Sequence, residues 1–344
     1  MSSNSHNKKI DWLLWGSATA IVALYLSWAV APDAISNINW LSVLASTIVD
    51  LVNTIWWGIA LGIVMIALLG RVPREFVMSA LGTATGIRGV MRATLAGVML
   101  DLCSHGILMV GAKLYERGAS IGQVIAFLVA SPWNSFSLTL VLFALIGVPW
   151  TLAFILASMV IAVIAGTLFD LLVRRGVLPK NQATNDLPAD FDFFAEAKKG
   201  WADLELTRDW VFDTLREGLM ESRMVMRWIL FGVLLAGVVR ALVPDDAFST
   251  YFGPTLMGLG LTVVAATILE VCSEGSTPIA ADLLTRANAP GNSFAFLMTG
   301  VSTDYTEIMI LKETTSSWKI PLFLPLLTVP QVLIVALCIN YFVQ

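Results

Sequence analysis

The sequence predicts an all-α polytopic membrane protein of about eight to ten transmembrane helices, in two pseudo-symmetric repeats whose helices break or re-enter at a Cys-Ser-x-Gly motif. Three observations predict this: scarce charge, several apolar runs of about 20 residues, and one short motif that occurs twice. Only 13% of the 344 residues are charged and 57% are hydrophobic, with a mean hydropathy of +0.78. An ordinary soluble domain carries roughly a quarter charged residues. A chain this apolar cannot cover itself with polar groups, so lipid is its expected solvent.

The apolar runs follow one another as 12–31, 41–70, 93–112, 120–146, 150–173, 227–243, 255–283, 291–311 and 320–342. The first follows Lys8, Lys9 and Asp11 and ends at Pro32-Asp33. It is too long for a signal peptide and lacks a small-residue cleavage site, so it is read as a retained span. From Arg174 to Arg223 the composition changes to dense Asp, Glu, Lys and Arg, with Trp201, Trp210 and Phe212 spaced along it. Its stretch 191–224 has the character of an amphipathic interfacial helix, or of a solvated linker with a helical lead into the next span. The expected organisation is a leader with the first span (1–37), an N-terminal membrane repeat (38–176), a charged linker (177–221) and a C-terminal membrane repeat (222–344).

Loop charge should give the orientation, but it conflicts. If every run crosses, Lys8, Lys9, Arg71, Arg74, Arg88 and Arg92 favour one side, while Arg174, Arg175, Lys180 and Arg223 favour the other. The conflict vanishes if one motif segment enters and leaves on the same side.

Sliding the chain on itself by about 170 positions aligns Asp101-Leu-Cys-Ser-His-Gly106 with Glu270-Val-Cys-Ser-Glu-Gly275. Downstream in the same register, Leu114 meets Leu283, Arg117 meets Arg286, Gly122 meets Gly291, and Ala126-Phe-Leu128 meets Ala295-Phe-Leu297. Leucine and alanine matches arise from composition; a shared Cys-Ser-x-Gly, carboxylate, arginine and glycine do not. Many secondary transporters are built from such repeats, with the solute near mid-depth where interrupted helices meet. Gly106 and Gly275 weaken a helix, and Ser276-Thr277-Pro278 adds a residue that cannot complete the hydrogen-bond ladder. Breaks are therefore expected at these positions.

In an unbroken helix Asp101 and His105 would share a face and Cys103 would point away. A break near Ser104 to Gly106 lets them approach one site, opposite Cys272. Two thiols with His105 and Glu274 beside them form a soft-donor set, suited to trivalent arsenic, Cu(I), Zn(II) or Hg(II) rather than Mg or Ca. The metal or metalloid ligands would be Cys103, His105 and Cys272, with Ser104, Ser273 and Glu274 as further binding groups. Each has a plainer alternative, since a cysteine in a membrane helix is by default a small apolar filler; Cys338 is read that way. Asp101 and Glu270 sit in apolar segments, where carboxylates usually line functional cavities and suit proton coupling. Their alternative is an ion pair with Arg117 or Arg286. In the later polar stretches, Asn134, Ser135, Thr303 and Asp304 occupy matching positions, either lining a pathway or hydrogen-bonding between helices. Asp304 is added to the proton-coupling set and Glu307 ranks below it.

No phosphate-cradling loop and no nucleophile with a histidine and carboxylate partner is legible, so no enzyme activity and no cofactor are expected. No basic tract points to nucleic acid. The expected partners are a small thiophilic solute and the bilayer, with a homo-oligomer possible.

Taken together, Cys103-Ser-His-Gly106, Arg117-Gly-Ala-Ser120, Glu270-Val-Cys-Ser-Glu-Gly-Ser276, Phe294-Ala-Phe-Leu-Met298 and Gly300-Val-Ser-Thr-Asp-Tyr305 resemble the ArsP/YraQ group of bacterial permeases. The likeness covers most of the chain outside the leader and linker. It implies efflux of trivalent organoarsenicals or other metalloids from the bacterial inner membrane, with Cys103 and Cys272 touching the solute. The first motif of many relatives reads Cys-Ser-Cys-Gly; here His105 stands in place of the middle thiol. The residues leave two other readings: a permease for a soft metal or a small sulfur-containing or organic solute, and a non-transporting thiol-redox subunit.

Overall fold

The computed structural model describes residues 11–30, 32–69, 86–99, 104–116, 118–130, 136–181, 208–269 and 273–343, and the described residues are helical with short connections. The helices are α1 (Trp12–Val30), α2 (Pro32–Ser36), α3 (Asn39–Leu69), α4 (Ile87–Met99), α5 (Ser104–Glu116), α6 (Ile121–Ala130), α7 (Phe136–Ile146) and α8 (Val148–Arg174). After the linker come α9 (Arg208–Leu242), α10 (Asp245–Phe252), α11 (Leu256–Leu269), α12 (Ser273–Thr285), α13 (Pro290–Thr303), α14 (Tyr305–Thr315) and α15 (Lys319–Val343).

Among the described residues, four helices are long and apolar enough to cross a membrane: α1, the 39–61 part of α3, α8 and α15. A fifth is obtained if 226–242 of α9 and 246–252 of α10, bent by 110° at their junction, are one span. The remaining apolar runs divide into helices of 10 to 14 residues. At 1.5 Å per residue, each is too short to cross the roughly 30 Å of hydrocarbon alone.

α8 shows why such helices sit in lipid. Thr151, Phe154, Ser158, Ile161, Ala165 and Phe169, three or four residues apart, face the interior and are buried. Leu152, Leu156, Val160, Ile164 and Leu171 form an equally apolar outer stripe. A helix in water would carry polar residues on that outer face.

The long helices α3 and α9 pack antiparallel. A Cβ built on Gly218 would fall 2.4 Å from the Ala67 Cβ, and one on Gly237 would fall 2.9 Å from Leu44. The early part of one helix therefore lies along the late part of the other. α1 packs on both, tied by Asp11 to Arg227 (3.2 Å) and by Tyr25 to the Asn53 side chain (3.0 Å).

α9 runs unbroken for 35 residues, roughly 52 Å, so its first turns belong to the same helix as the span. The boundary expected at 221/222 falls inside it. Of the stretch 191–224, residues 208–224 are helical, and 191–207 lie outside the described residues.

Helix starts recur at one interval. Asn39 and Arg208, Ile87 and Leu256, Ser104 and Ser273, Ile121 and Pro290, and Phe136 and Tyr305 each open a helix, and the members of each pair are 169 positions apart. Contacts between the halves follow the same pairing: α3 on α9, α6 on α13 and α8 on α15, with α7 on α12 answered by α14 on α5. The correspondence has limits, since α3 also packs on α7 whereas α9 packs on α12. The innermost helices are α6, buried throughout, and α13, buried from Pro290 to Ser302.

Candidate functional site

Two helical hairpins define the centre. In the first half, α4 runs parallel to α6: its Val90 lies beside Gly166, against which Gly122 also packs, and its Gly97 lies against the Phe127 carbonyl. α5 returns antiparallel, with Gly111 against Leu128 and Val124. The start of α4 and the end of α5 therefore share one end of the molecule with the end of α8. There Asn181 donates to the carbonyls of Tyr115 (2.6 Å) and Ala119 (2.9 Å). The Asp170 carboxylate accepts from Ser120 Oγ (3.2 Å) and from Gly122 N–H (3.0 Å). This end, which also carries the start of α9, is termed the linker face.

The second half repeats the arrangement at the distal face. Asn292 at the start of α13 donates to the carbonyls of Phe252 and Gly253, just before α11 (2.8 and 2.9 Å). Ser293 donates to the Ala280 carbonyl of α12 (2.6 Å). Asn340, near the end of α15, accepts from Gly291 N–H (2.7 Å) and donates to Asn292 (2.9 Å). Phe154, early in α8, touches Phe294 with ring centroids 5.4 Å apart, which sets the distal face at the opposite end of α8 from Arg174.

At the distal face the end of α12 is fixed to α9. Asp282, 1% exposed, accepts from Arg240 Nε at 2.9 and 3.1 Å and from its terminal nitrogen. Arg286 approaches the same carboxylate at 3.5 Å, donates to the Val243 carbonyl and covers the Phe248 ring. Asp282 is thus a partner of Arg286, and Glu270 lies outside the described residues.

In the first half one helix ends at Met99 and the next begins at Ser104, and in the second half one ends at Leu269 and the next begins at Ser273. Asp101, Cys103, Glu270 and Cys272 fall in these intervals, and with Asn134 lie outside the described residues. Ser104 and His105 form the first turn of α5, and Ser273 and Glu274 that of α12, described here by their backbone.

The helices that begin at Ser104 and Ser273 run on to Glu116 and Thr285, so the expectation of breaks within Ser104–Gly106 and Gly275–Pro278 is corrected. Gly106, Gly275 and Pro278 are all inside helices. Gly275 has a packing reason: a Cβ on Gly232 of α9 would lie 2.3 Å from its carbonyl oxygen, so the two backbones meet where neither has a side chain. Pro278 sits in the second turn, where its missing N–H leaves the Glu274 carbonyl without a ladder donor.

Thr303 and Asp304 join this region. Thr303 Oγ1 donates to the Thr299 carbonyl (2.9 Å) and lies 3.4 Å from Thr267 Oγ1 near the end of α11. Asp304 is the single non-helical residue between α13 and α14. It is half-buried, whereas Glu307, ranked below it from sequence, is 3% exposed. Thr299 was not singled out from sequence; it is buried, and its hydroxyl has no hydrogen-bond partner among the described residues. Its spacing of four from Thr303 is the one signal that pointed to it.

Four helices, α5, α7, α12 and α14, begin between the two faces and run outward, α5 and α14 to the linker face and α7 and α12 to the distal face. Their N-terminal ends carry partial positive charge and unsatisfied N–H groups, which favour electron-rich ligands. Among the described residues no group of three or more His, Cys, Asp or Glu is placed to hold a metal.

The ArsP family model, described as "Predicted permease", matches residues 39–341. "UPF0718 protein MJ0584" of Methanocaldococcus jannaschii is 22% identical, over 85% of this chain and 93% of its own length. "Putative permease Rv2963" of Mycobacterium tuberculosis is 23% identical over 61% of this chain, which spans 55% of that protein. "Putative two-component membrane permease complex subunit" of Streptococcus mutans is 22% identical over 65% of this chain and 71% of its own length. No solved structure matches.

Proposed function

The chain belongs to this permease family, and on that premise we propose that it is a secondary transporter exporting a thiophilic solute, a trivalent organoarsenical first of all, from the bacterial inner membrane. What supports the reading is the pair of antiparallel helix pairs, α4 with α5 and α11 with α12, which start from opposite faces and whose connecting segments carry Cys103 in one half and Cys272 in the other. An inverted duplication accounts for the constant interval between helix starts and for the antiparallel α3 and α9. Irregular backbone at membrane depth is tolerated only where protein or a watery cavity surrounds it.

The chemistry needs two thiols and no redox partner. A monomethyl arsenous species carries two hydroxyls on arsenic; two thiols replace them, forming two As–S bonds and releasing two waters, while the methyl group rests in apolar surroundings. Ser104, Ser273, Glu274, Asn134 and Thr303 complete the polar lining, and Asp101, Glu270 and Asp304 are candidate proton carriers. Cys103→Ser and Cys272→Ser are each expected to lower uptake of methylarsonous acid into inside-out proteoliposomes by roughly tenfold or more, the equivalent of losing one strong contact. Uptake equal to wild type in both variants sinks the dithiol reading.

The linker face is assigned to the cytoplasm. Arg88, Arg92, Lys113, Arg174, Arg175 and Lys180 lie at that face, as do Arg208, Arg216, Arg223, Arg227, Lys312 and Lys319. Among the described residues the distal face has Arg240 and Arg286, both bound to Asp282. An excess of Lys and Arg marks the cytoplasmic side. The first hairpin enters and leaves at the linker face, so Arg88, Arg92, Arg174 and Arg175 no longer conflict. In a Cys338→Ala background, Asp246→Cys is expected to react with a membrane-impermeant maleimide in intact spheroplasts, and Lys180→Cys only after lysis. The reverse pattern inverts the assignment.

A further inference from the structure

We infer that Glu307 carries the coupled proton, acting at the contact between α14 and the first turn of α5; this rests on the transport reading above. Glu307 is 3% exposed and occupies the first turn of α14, directly after the break at Asp304. An ionised carboxylate at membrane depth is expensive, so such residues are rare there and mark substrate or proton pathways. Asp282, the other carboxylate buried to this degree among the described residues, is held by two guanidinium groups at the distal face and is structural. Glu307 stands near mid-depth.

Its neighbourhood favours function over architecture. α14 packs on α5 across the boundary between the halves, and both helices run from mid-depth to the linker face. Their first turns therefore share a level, Glu307 in one and Ser104 and His105 in the other. The equivalent contact, α7 on α12, has Leu138 at the position 169 residues before Glu307, and Leu138 is fully buried. The fold accepts a leucine there, so the carboxylate is not needed to build the contact. One half has a proton handle and the other an apolar plug.

The elements packed against α14 carry further titratable groups. α5 carries His105 in its first turn, then Lys113, Tyr115 and Glu116 towards the linker face, where Lys113 and Glu116 pair with each other. α13 contributes none; α15 has Lys319 at the linker face and Tyr341 at the other end. α14 itself has Tyr305, Lys312 and Glu313, preceded by Asp304, and Lys312 lies over the Trp318 ring. In the proposed cycle the Glu307 carboxylate takes one proton from the distal side, becomes a neutral acid, and releases that proton to the cytoplasm as solute leaves. Charge and protons balance without any redox step.

The test uses the full-length protein in proteoliposomes with methylarsonous acid, measured as arsenic, and the variants Glu307→Gln, Glu307→Leu and Glu307→Asp. Wild type is expected to accelerate transport when a pH gradient is imposed. Gln and Leu should abolish that acceleration while keeping solute exchange at equal pH within about twofold of wild type, and Asp should restore part of it. The inference is overturned if Gln and Leu respond to the gradient like wild type, or if both lose exchange along with coupling. It is also overturned, with the permease reading intact, if wild type transports but ignores the gradient. No arsenic movement by wild type at all removes the arsenical reading and this inference with it.

Discussion

Asp282→Ala is expected to destabilise the protein by about 3–5 kcal/mol, the usual loss when one partner of a buried ion pair is removed. The carboxylate is 1% exposed and its partners Arg240 and Arg286 have side chains 23% and 11% exposed, so solvent screens the cluster little. Without Asp282 two guanidinium groups face each other at the distal end of α9 with nothing between them. Thermal unfolding of detergent-purified protein, followed by helical signal, checks this. Asp282→Asn should lose less, because the amide still accepts a hydrogen bond. Unfolding curves for Asp282→Ala that superimpose on wild type would mean that the cluster stabilises nothing.

Gly232→Ala is expected to damage transport more than stability. Its methyl group would lie 2.3 Å from the Gly275 carbonyl oxygen and 2.9 Å from the Gly275 Cα, so α9 and α12 must separate. Overpacking of this kind costs about 1–3 kcal/mol. Gly275 is two residues beyond Ser273, so the separation is delivered to the hairpin turn, where a misplacement of about 1 Å can lower a rate by as much as a hundredfold. Gly260→Ala is the control, since nothing lies within 4 Å of a Cβ built there. Equal transport by the two variants would show that the crossing of α9 and α12 does not position the turn.

Much of this architecture was legible from residues alone, and the parts that were not share a cause. The register linking Cys103 to Cys272 also relates the starts of five pairs of helices, as the proposed duplication would require. The charge conflict in the loops is relieved under the proposed orientation, in which α4 starts and α5 ends at one face. Helix-breaking residues were the poor guide. Gly275 and Pro278 were read as interruptions, yet Gly275 is where α12 meets Gly232, and Pro278 falls early enough in its helix to remove only one ladder bond. Local propensity says nothing of the neighbour a glycine admits. The relative weight of Asp304 and Glu307 was equally hidden, since burial depends on which turn of α14 faces α5. Asp101, Cys103, Asn134, Glu270 and Cys272 lie outside the described residues, so their roles stand as proposals supported by the helices around them.

The complete enclosure of α6 and α13 bears on how such a molecule can move. A helix surrounded by packed side chains cannot shift without opening voids, at about 24 cal/mol for each Å³. α4 is placed differently: Ile87, Met91, Leu95 and Met99 form an outward stripe, and α11 likewise exposes Leu256, Val264 and Ile268. Fluid hydrocarbon on that side yields and refills at little cost. Displacing α6 or α13 thus carries a packing cost that displacing α4 or α11 on its lipid side does not.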